Sequence, residues 1–364
     1  MNRFLALGGV LAAAVLVLAA GAALAEPLAP LPALKAPNPD QAELGRWLFF
    51  ETKLSGDAAI SCATCHDPRK GWGDGKSLST GYPGSEYFRN SQTILNAAHY
   101  RRNYWDGRMS GRDMATLVRD HFTEAHFMQA DGRLQAERLK QVPEYDERFR
   151  KAMGGEPSFG RILNALVAFV GTVTSRNAPI DRYLRGEAGA LSPAAQEGMR
   201  LFQGKAGCIQ CHDGALLSDQ KFHVLGVPEN PQVFQGPLRH ISFRRFMKTL
   251  GAPNYDNLRE DVGLAAVTKE PQDRGKFRTP SLREVSRTAP YMHNGSLATL
   301  GDVVDFYDRG GGAHPNKSPL LRPLGLSDGE KKALVAFLEH LAGDPVVVEA
   351  PAPLDYKLRT LGKN

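Results

Sequence analysis

Apolar positions along this chain fall into three kinds of run, and each predicts a different element. Phe4 to Ala23 is almost unbroken apolar sequence, with Arg3 the only charge before Glu26. Ala23-Leu24-Ala25 then supplies the small-x-small pattern of a signal-peptidase site. Residues 1–25 are therefore expected to be a signal peptide. An uncleaved membrane anchor is the alternative, because the run approaches the length of a span. No later segment is long and apolar enough to cross a bilayer.

The second kind of run is periodic and occurs twice. Leu44-Gly45-Arg46-Trp47-Leu48-Phe49 and Glu197-Gly198-Met199-Arg200-Leu201-Phe202 each place a Leu three residues after a Gly and a Phe four after it. That is the spacing of one helical face. The third kind closes each half. Leu163 to Val173 is apolar with small residues and predicts a buried helix. Ser327, followed by Leu334, Val335, Phe337, Leu338 and Leu341, predicts an amphipathic helix within Gly325 to Gly343.

Strand-like alternation is scarce, and Gly and Pro are frequent. Pro27 to Pro39 reads as an extended lead-in. The stretch from Asn177 to the helix start at Ser192-Pro193 reads as a boundary. The expected organisation is a signal peptide (1–25), a Pro-rich lead-in (26–39), one domain over 40–190, a second over 191–345, and a tail (346–364). The 339 residues after the signal peptide are enough for two domains with real cores.

Four cysteines complete the picture, in Cys62-Ala63-Thr64-Cys65-His66 and Cys208-Ile209-Gln210-Cys211-His212. Both are C-x-x-C-H, the spacing for covalent attachment of c-type haem, with the His as proximal iron ligand. A C-x-x-C pair can also supply half of a zinc site or form a redox dithiol, but neither needs a His directly after it. Two copies with the trailing His would be a coincidence under both alternatives. Each motif follows a Gly-x-x-Leu-Phe helix, the arrangement of a small cytochrome c domain. The expected fold is therefore mainly α, two tandem cytochrome c-like domains with long loops around covalent haem. Covalent haem attachment points to the periplasm.

Charge changes little. Losing Arg3 with the signal peptide lowers the formal net charge from +6 to +5, and roughly four haem propionates would largely cancel it. Nucleic acid is not an expected partner. A basic stretch holding Arg239, Arg244, Arg245 and Lys248 is a candidate docking patch near the His212 haem.

Further motifs carry a family resemblance. Arg89-Asn90-Ser91-Gln92-Thr93-Ile94-Leu95-Asn96, Trp105-Asp106-Gly107-Arg108, Arg278-Thr279-Pro280-Ser281-Leu282-Arg283 and Ala289-Pro290-Tyr291-Met292-His293-Asn294-Gly295-Ser296 resemble the bacterial di-haem cytochrome c peroxidases. Within them they resemble the MauG-like branch, and the pattern lies nearest that of MbnH. The resemblance implies one haem that meets hydrogen peroxide and one held by two protein ligands, with an electron-relay tryptophan, here Trp105, between them. It also implies a calcium ion bound by the Asn90 side chain and the Thr288 and Pro290 carbonyls; oxygen ligands suit a hard cation.

In the typical peroxidases a Met fourteen residues after the His of the Pro-Tyr-x-His motif is the second ligand of the C-terminal haem. Here that position is Tyr307, counted from His293, as in MauG-like enzymes. A phenolate favours the higher oxidation states of iron. Met292 is the local rival. The gating-loop His of many relatives is missing between His66 and His99, so the first haem is expected to be open and five-coordinate. The Glu that assists peroxide cleavage in the family aligns with Phe127, which leaves Glu124 or His126 as acid–base candidates. Ala206 replaces the Trp that MauG uses as an exit route.

The resemblance implies a periplasmic oxidase that uses hydrogen peroxide to reach a bis-Fe(IV) state. It would oxidise tryptophan on a partner protein, in the MbnH manner to kynurenine on a copper-binding MbnP-type partner. The alternatives are a detoxifying cytochrome c peroxidase, MauG-type cross-linking of an amine dehydrogenase precursor, and a non-enzymatic electron carrier.

Overall fold

In the computed structural model the described residues are 25–352 and 354, apart from residue 84. The expected signal peptide, except its last residue, and most of the expected tail lie outside them. Among the described residues no helix is long and apolar enough to cross a membrane.

The helices that matter for the site begin at recognisable caps. α1 (Pro39–Phe50) starts on Asn38, whose side chain accepts from the Gln41 amide, with Pro at the first turn. α2 (Met114–Thr123) is capped by Asp113 and α3 (Phe159–Val170) by Ser158. In the second half α4 (Pro193–Gln203) is capped by Ser192, and α5 (Pro237–Thr249) follows a long loop. α6 (Leu300–Asp308) and α7 (Asp328–Glu339) open on capping boxes, Thr299 with Asp302 and Ser327 with Glu330. Among the described residues strand is limited to two-residue antiparallel pairs, Arg102–Asn103 with Met109–Ser110 and Phe222–His223 with Phe277–Arg278.

The sequence repeat has a steric origin. A Cβ on Gly45 would lie 2.0 Å from the Ala165 carbonyl oxygen and 2.7 Å from Phe169 Cβ. A Cβ on Gly198 would lie 2.0 Å from the Ala333 oxygen and 2.7 Å from Phe337 Cβ. Each glycine is where two helices cross at backbone contact, α1 on α3 and α4 on α7. One turn on, Phe49 meets Phe169 with ring centres 5.1 Å apart, and Phe202 meets Phe337 at 5.2 Å. The two halves repeat one helix crossing, and each crossing centres its own hydrophobic cluster. The expected mainly helical, tandem cytochrome c-like architecture is the one observed.

The ends of the chain do not stay with their own halves. Leu28 is buried in the second cluster, and the Glu26 amide donates to Asp213 at 3.0 Å. Val346 and Val348 pack on the first cluster, where the Trp72 indole donates to the Val346 carbonyl at 2.7 Å.

A third cluster joins the halves. Leu78, Tyr87 and Phe88 from the first pack against Phe243, Phe246 and Met247 of α5. This cluster takes up part of the basic stretch. Arg239 donates to the Ser79 and Tyr87 carbonyls and pairs with Glu86, Ser242 donates to Ser85 at 2.8 Å, and Arg244 pairs with Asp256. The helix that carries Arg239 to Lys248 is docked on the first half through Arg239 and Ser242, while Arg245 and Lys248 stay exposed and Arg244 pairs at the surface.

Candidate haem sites and their bridge

Cys62–Cys65 form a single helical turn begun by Ser61, in a capping box with Thr64. Cys208–Gln210 form a tighter turn that follows Gly207 at φ +63°, a backbone that favours glycine. All four thiols are unpaired, and both motifs lie in the wall of one continuous cavity of about 420 Å³. Burial pushes Cys62 and Cys208 up to about 12. That disfavours the thiolate which a reactive dithiol requires.

Both motif histidines are oriented in the same way. His66 Nδ1 lies 3.1 Å from the Trp72 carbonyl and His212 Nδ1 3.0 Å from the Leu217 carbonyl. A carbonyl accepts, so Nδ1 carries the proton and Nε2 is left for a metal. Unpaired thiols on a cavity wall, each pair beside an imidazole with its free nitrogen fixed, fit covalently attached haem.

Tyr307, on α6, lines this cavity with His212, and so does Met292. Burial, then the nearby Cys208 and Cys211 sulfurs, raise the Tyr307 hydroxyl far above its usual value. Trp105 stands between the halves: its indole donates to the Asn90 carbonyl at 3.0 Å, and its own carbonyl accepts from the Arg278 amide at 2.9 Å. Next to it is a buried ion network. Arg89 binds Asp261 through two nitrogens (2.6 and 2.8 Å) and Asp106 through the third at 2.6 Å; Arg108 closes on Asp106 at 3.1 Å. Burial opposes ionisation of Asp106, but Arg108 and Arg89 outweigh it and hold the carboxyl at about 2. Asn90, Thr288 and Pro290 share the cavity wall; the Asn90 amide nitrogen donates to the Lys76 carbonyl at 2.8 Å, and the Thr288 hydroxyl donates to the Val285 carbonyl at 3.1 Å.

Glu124 and His126 are placed elsewhere. They line a neighbouring pocket with Arg108, Asp120 and Phe246. His126 is stacked on Tyr87 (ring centres 5.0 Å apart), and its Nδ1 is 3.9 Å from Glu124. Burial, then Arg108, hold His126 down to about 3, while burial, then Asp120, raise Glu124. The imidazole that does line the haem cavity opposite His66 is His121, which sequence reasoning missed. The signal available was its position in a capped helix, eight residues after Asp113.

Comparison with known proteins agrees with this geometry. The family model for di-haem cytochrome c peroxidase matches residues 39–189. The cytochrome-c peroxidase IdrP2 of Pseudomonas sp. (strain SCT) is 52% identical over 93% of this chain and 90% of its own length. The methylamine utilization protein MauG of Methylorubrum extorquens is 34% identical, over 86% of this chain and 81% of its own. Among solved structures, a MauG-like protein associated with microbial copper homeostasis superposes with a TM-score of 0.73 at 30% identity, over 86% of this chain and 93% of that one. With two c-type haem motifs opening on one cavity and relatives that share nearly the whole chain, the protein is an oxidoreductase that belongs to the di-haem cytochrome c peroxidase family.

Proposed function

We propose that this protein is a periplasmic enzyme that reduces hydrogen peroxide with electrons drawn from a protein donor. Cys62, Cys65 and His66 would hold one c-type haem, and Cys208, Cys211, His212 and Tyr307 the other. Those haems supply the redox chemistry, in which peroxide takes up two electrons and two protons and leaves as two waters. The observation that carries the reading is the single cavity shared by both motifs, with Trp105 in its wall. Trp105 is fixed to the first half through Asn90 and to the second through Arg278, which suits a relay that must not move. The 52% identity to a cytochrome-c peroxidase supports peroxide reduction as the net reaction. Asn90, Thr288 and Pro290 are the proposed calcium ligands beside this bridge.

The test is to mix the two-haem protein with hydrogen peroxide and a reduced small c-type cytochrome, and to follow cytochrome oxidation. Stoichiometric oxidation of two cytochromes per peroxide supports the reading. Peroxide consumption without it refutes the donor assignment.

A second reading is favoured by Tyr307. A phenolate stabilises oxidised iron, so the electrons would come instead from a tryptophan of a partner protein, such as a copper-binding MbnP-type protein. Mass spectrometry of that partner after peroxide treatment separates the two: oxygen gain or cross-linking at a Trp peptide supports this second reading.

A further inference from the structure

The internal repeat assigns a role to a residue that no motif marks. α2 packs on α3 in the first half as α6 packs on α7 in the second. Tyr307 lies eight residues after the cap of α6, Thr299, and His121 lies eight residues after the cap of α2, Asp113. Both side chains line the haem cavity. His121 therefore occupies in the first half the place that Tyr307 occupies in the second.

The geometry around His121 is that of a ligand held in readiness. Its Nδ1 is engaged by the Tyr104 hydroxyl at 2.9 Å and the Leu117 carbonyl at 3.0 Å. Tyr104 also donates to Asp120 at 2.7 Å. The ring is flanked by Phe127, with centres 4.7 Å apart. Only Nε2 is left uncommitted. The His66 ring centre is 6.1 Å from that of His121, with the planes inclined at 59°. Two imidazoles on opposite sides of one metal ion, each at a bond of about 2 Å, have ring centres roughly 6 Å apart. A peroxide placed between iron and imidazole would need roughly 3 Å more.

We propose that His121 is the second axial ligand of the His66 haem in the resting, oxidised protein. The inference rests on the reading of His66 as proximal ligand. It replaces the expectation of an open site: the loop from Leu78 to Tyr87 lacks a His, but α2 supplies one. Peroxide then reaches this haem only after His121 leaves, so the site is gated from within a helix rather than by a loop.

Electron paramagnetic resonance and optical spectra of the oxidised two-haem protein test this without turnover. The wild type should show two low-spin ferric signals and no high-spin one. His121→Gly should convert one low-spin signal to high-spin, and added imidazole should restore it; His121→Gln should behave like His121→Gly before rescue. A high-spin signal in the wild type, or spectra unchanged by both substitutions, would overturn the proposal. Peptide mass separately reports haem on the Cys62–Cys65 segment. Its absence would overturn the reading of that motif, and this proposal with it. Haem present with a high-spin wild type would overturn only the role of His121.

Discussion

Arg89→Met should be among the most destabilising single substitutions in this chain, and the loss should depend on pH in a defined direction. Arg89 is 1% exposed; its partners Asp106 and Asp261 are 0% and 6% exposed. Removing the guanidinium does not strand both carboxylates, because Arg108 still binds Asp106 at 3.1 Å. Asp261 keeps only the Gly263 amide, at 3.0 Å. The deficit is thus one uncompensated buried charge, about 3–5 kcal/mol, which is roughly a 10²–10⁴-fold change in the folded-to-unfolded ratio.

The sign with pH follows from the same groups. Arg108 and Arg89 hold Asp106 at about 2 against its burial, and Arg89 lowers Asp261 in the same way. A depressed carboxyl contributes stability that is present above its ordinary value near 4 and is lost as pH falls towards 2. In Arg89→Met, Asp261 can instead escape its charge by taking up a proton. The difference between wild type and variant should shrink from pH 7 to pH 4. Urea unfolding of the two-haem protein, followed by near-ultraviolet dichroism, measures it. A deficit under about 1 kcal/mol, or one equally large at pH 7 and pH 4, would refute the argument. Asp261→Asn in the Arg89→Met background should recover part of the loss.

Gly198→Ala should destabilise the second half by about 1–3 kcal/mol through overpacking, seen as a lower urea midpoint, while Ala at an open glycine such as Gly189 leaves it unchanged. Trp105→Phe keeps an aromatic ring but loses the indole and its bond to Asn90; electron transfer between the haems in stopped-flow mixing should slow roughly tenfold or more, and an unchanged rate removes Trp105 from the path. Tyr307→Met should raise the potential of the second haem in a spectroelectrochemical titration; no change would make Met292 or another residue the ligand. Burial, then Asp261, raise Glu229 to about 7. Stability tied to its proton is full below about 4.5 and lost as pH rises through about 7, so Glu229→Gln should flatten that window by about 1–3 kcal/mol.

Much of the fold could be read in advance because its determinants are local. Gly45 and Gly198 sit at fixed offsets from Leu and Phe, and the helix crossing that requires them repeats with the same spacing. The haem motifs are contiguous, so their chemistry was legible too. The parts that escaped depend on distant partners. Arg239 looks like a surface charge in sequence, but its acceptors are the carbonyls of Ser79 and Tyr87, more than 150 residues away. His126 looked apt for proton transfer because it sits near the aligned family position. Phe127 instead packs against His121, and His126 points to the neighbouring pocket. His121 itself carries no motif; only the phase of α2, set by Asp113, turns it towards His66.

The exchanged chain ends bear on how the protein can be assembled. The carbonyl that orients His66 belongs to Trp72, and the indole of Trp72 is fastened by the Val346 carbonyl. The floor of the first haem site is thus completed by a segment synthesised after the second domain. During synthesis the first C-x-x-C-H emerges well before Val346 and Val348. Until that segment arrives, the packing that holds Trp72 against His66 is incomplete. Cutting the chain at the 177–192 boundary would leave the first part without Val346 and Val348 and the second without Leu28. Separately produced halves should recover their native packing only when combined.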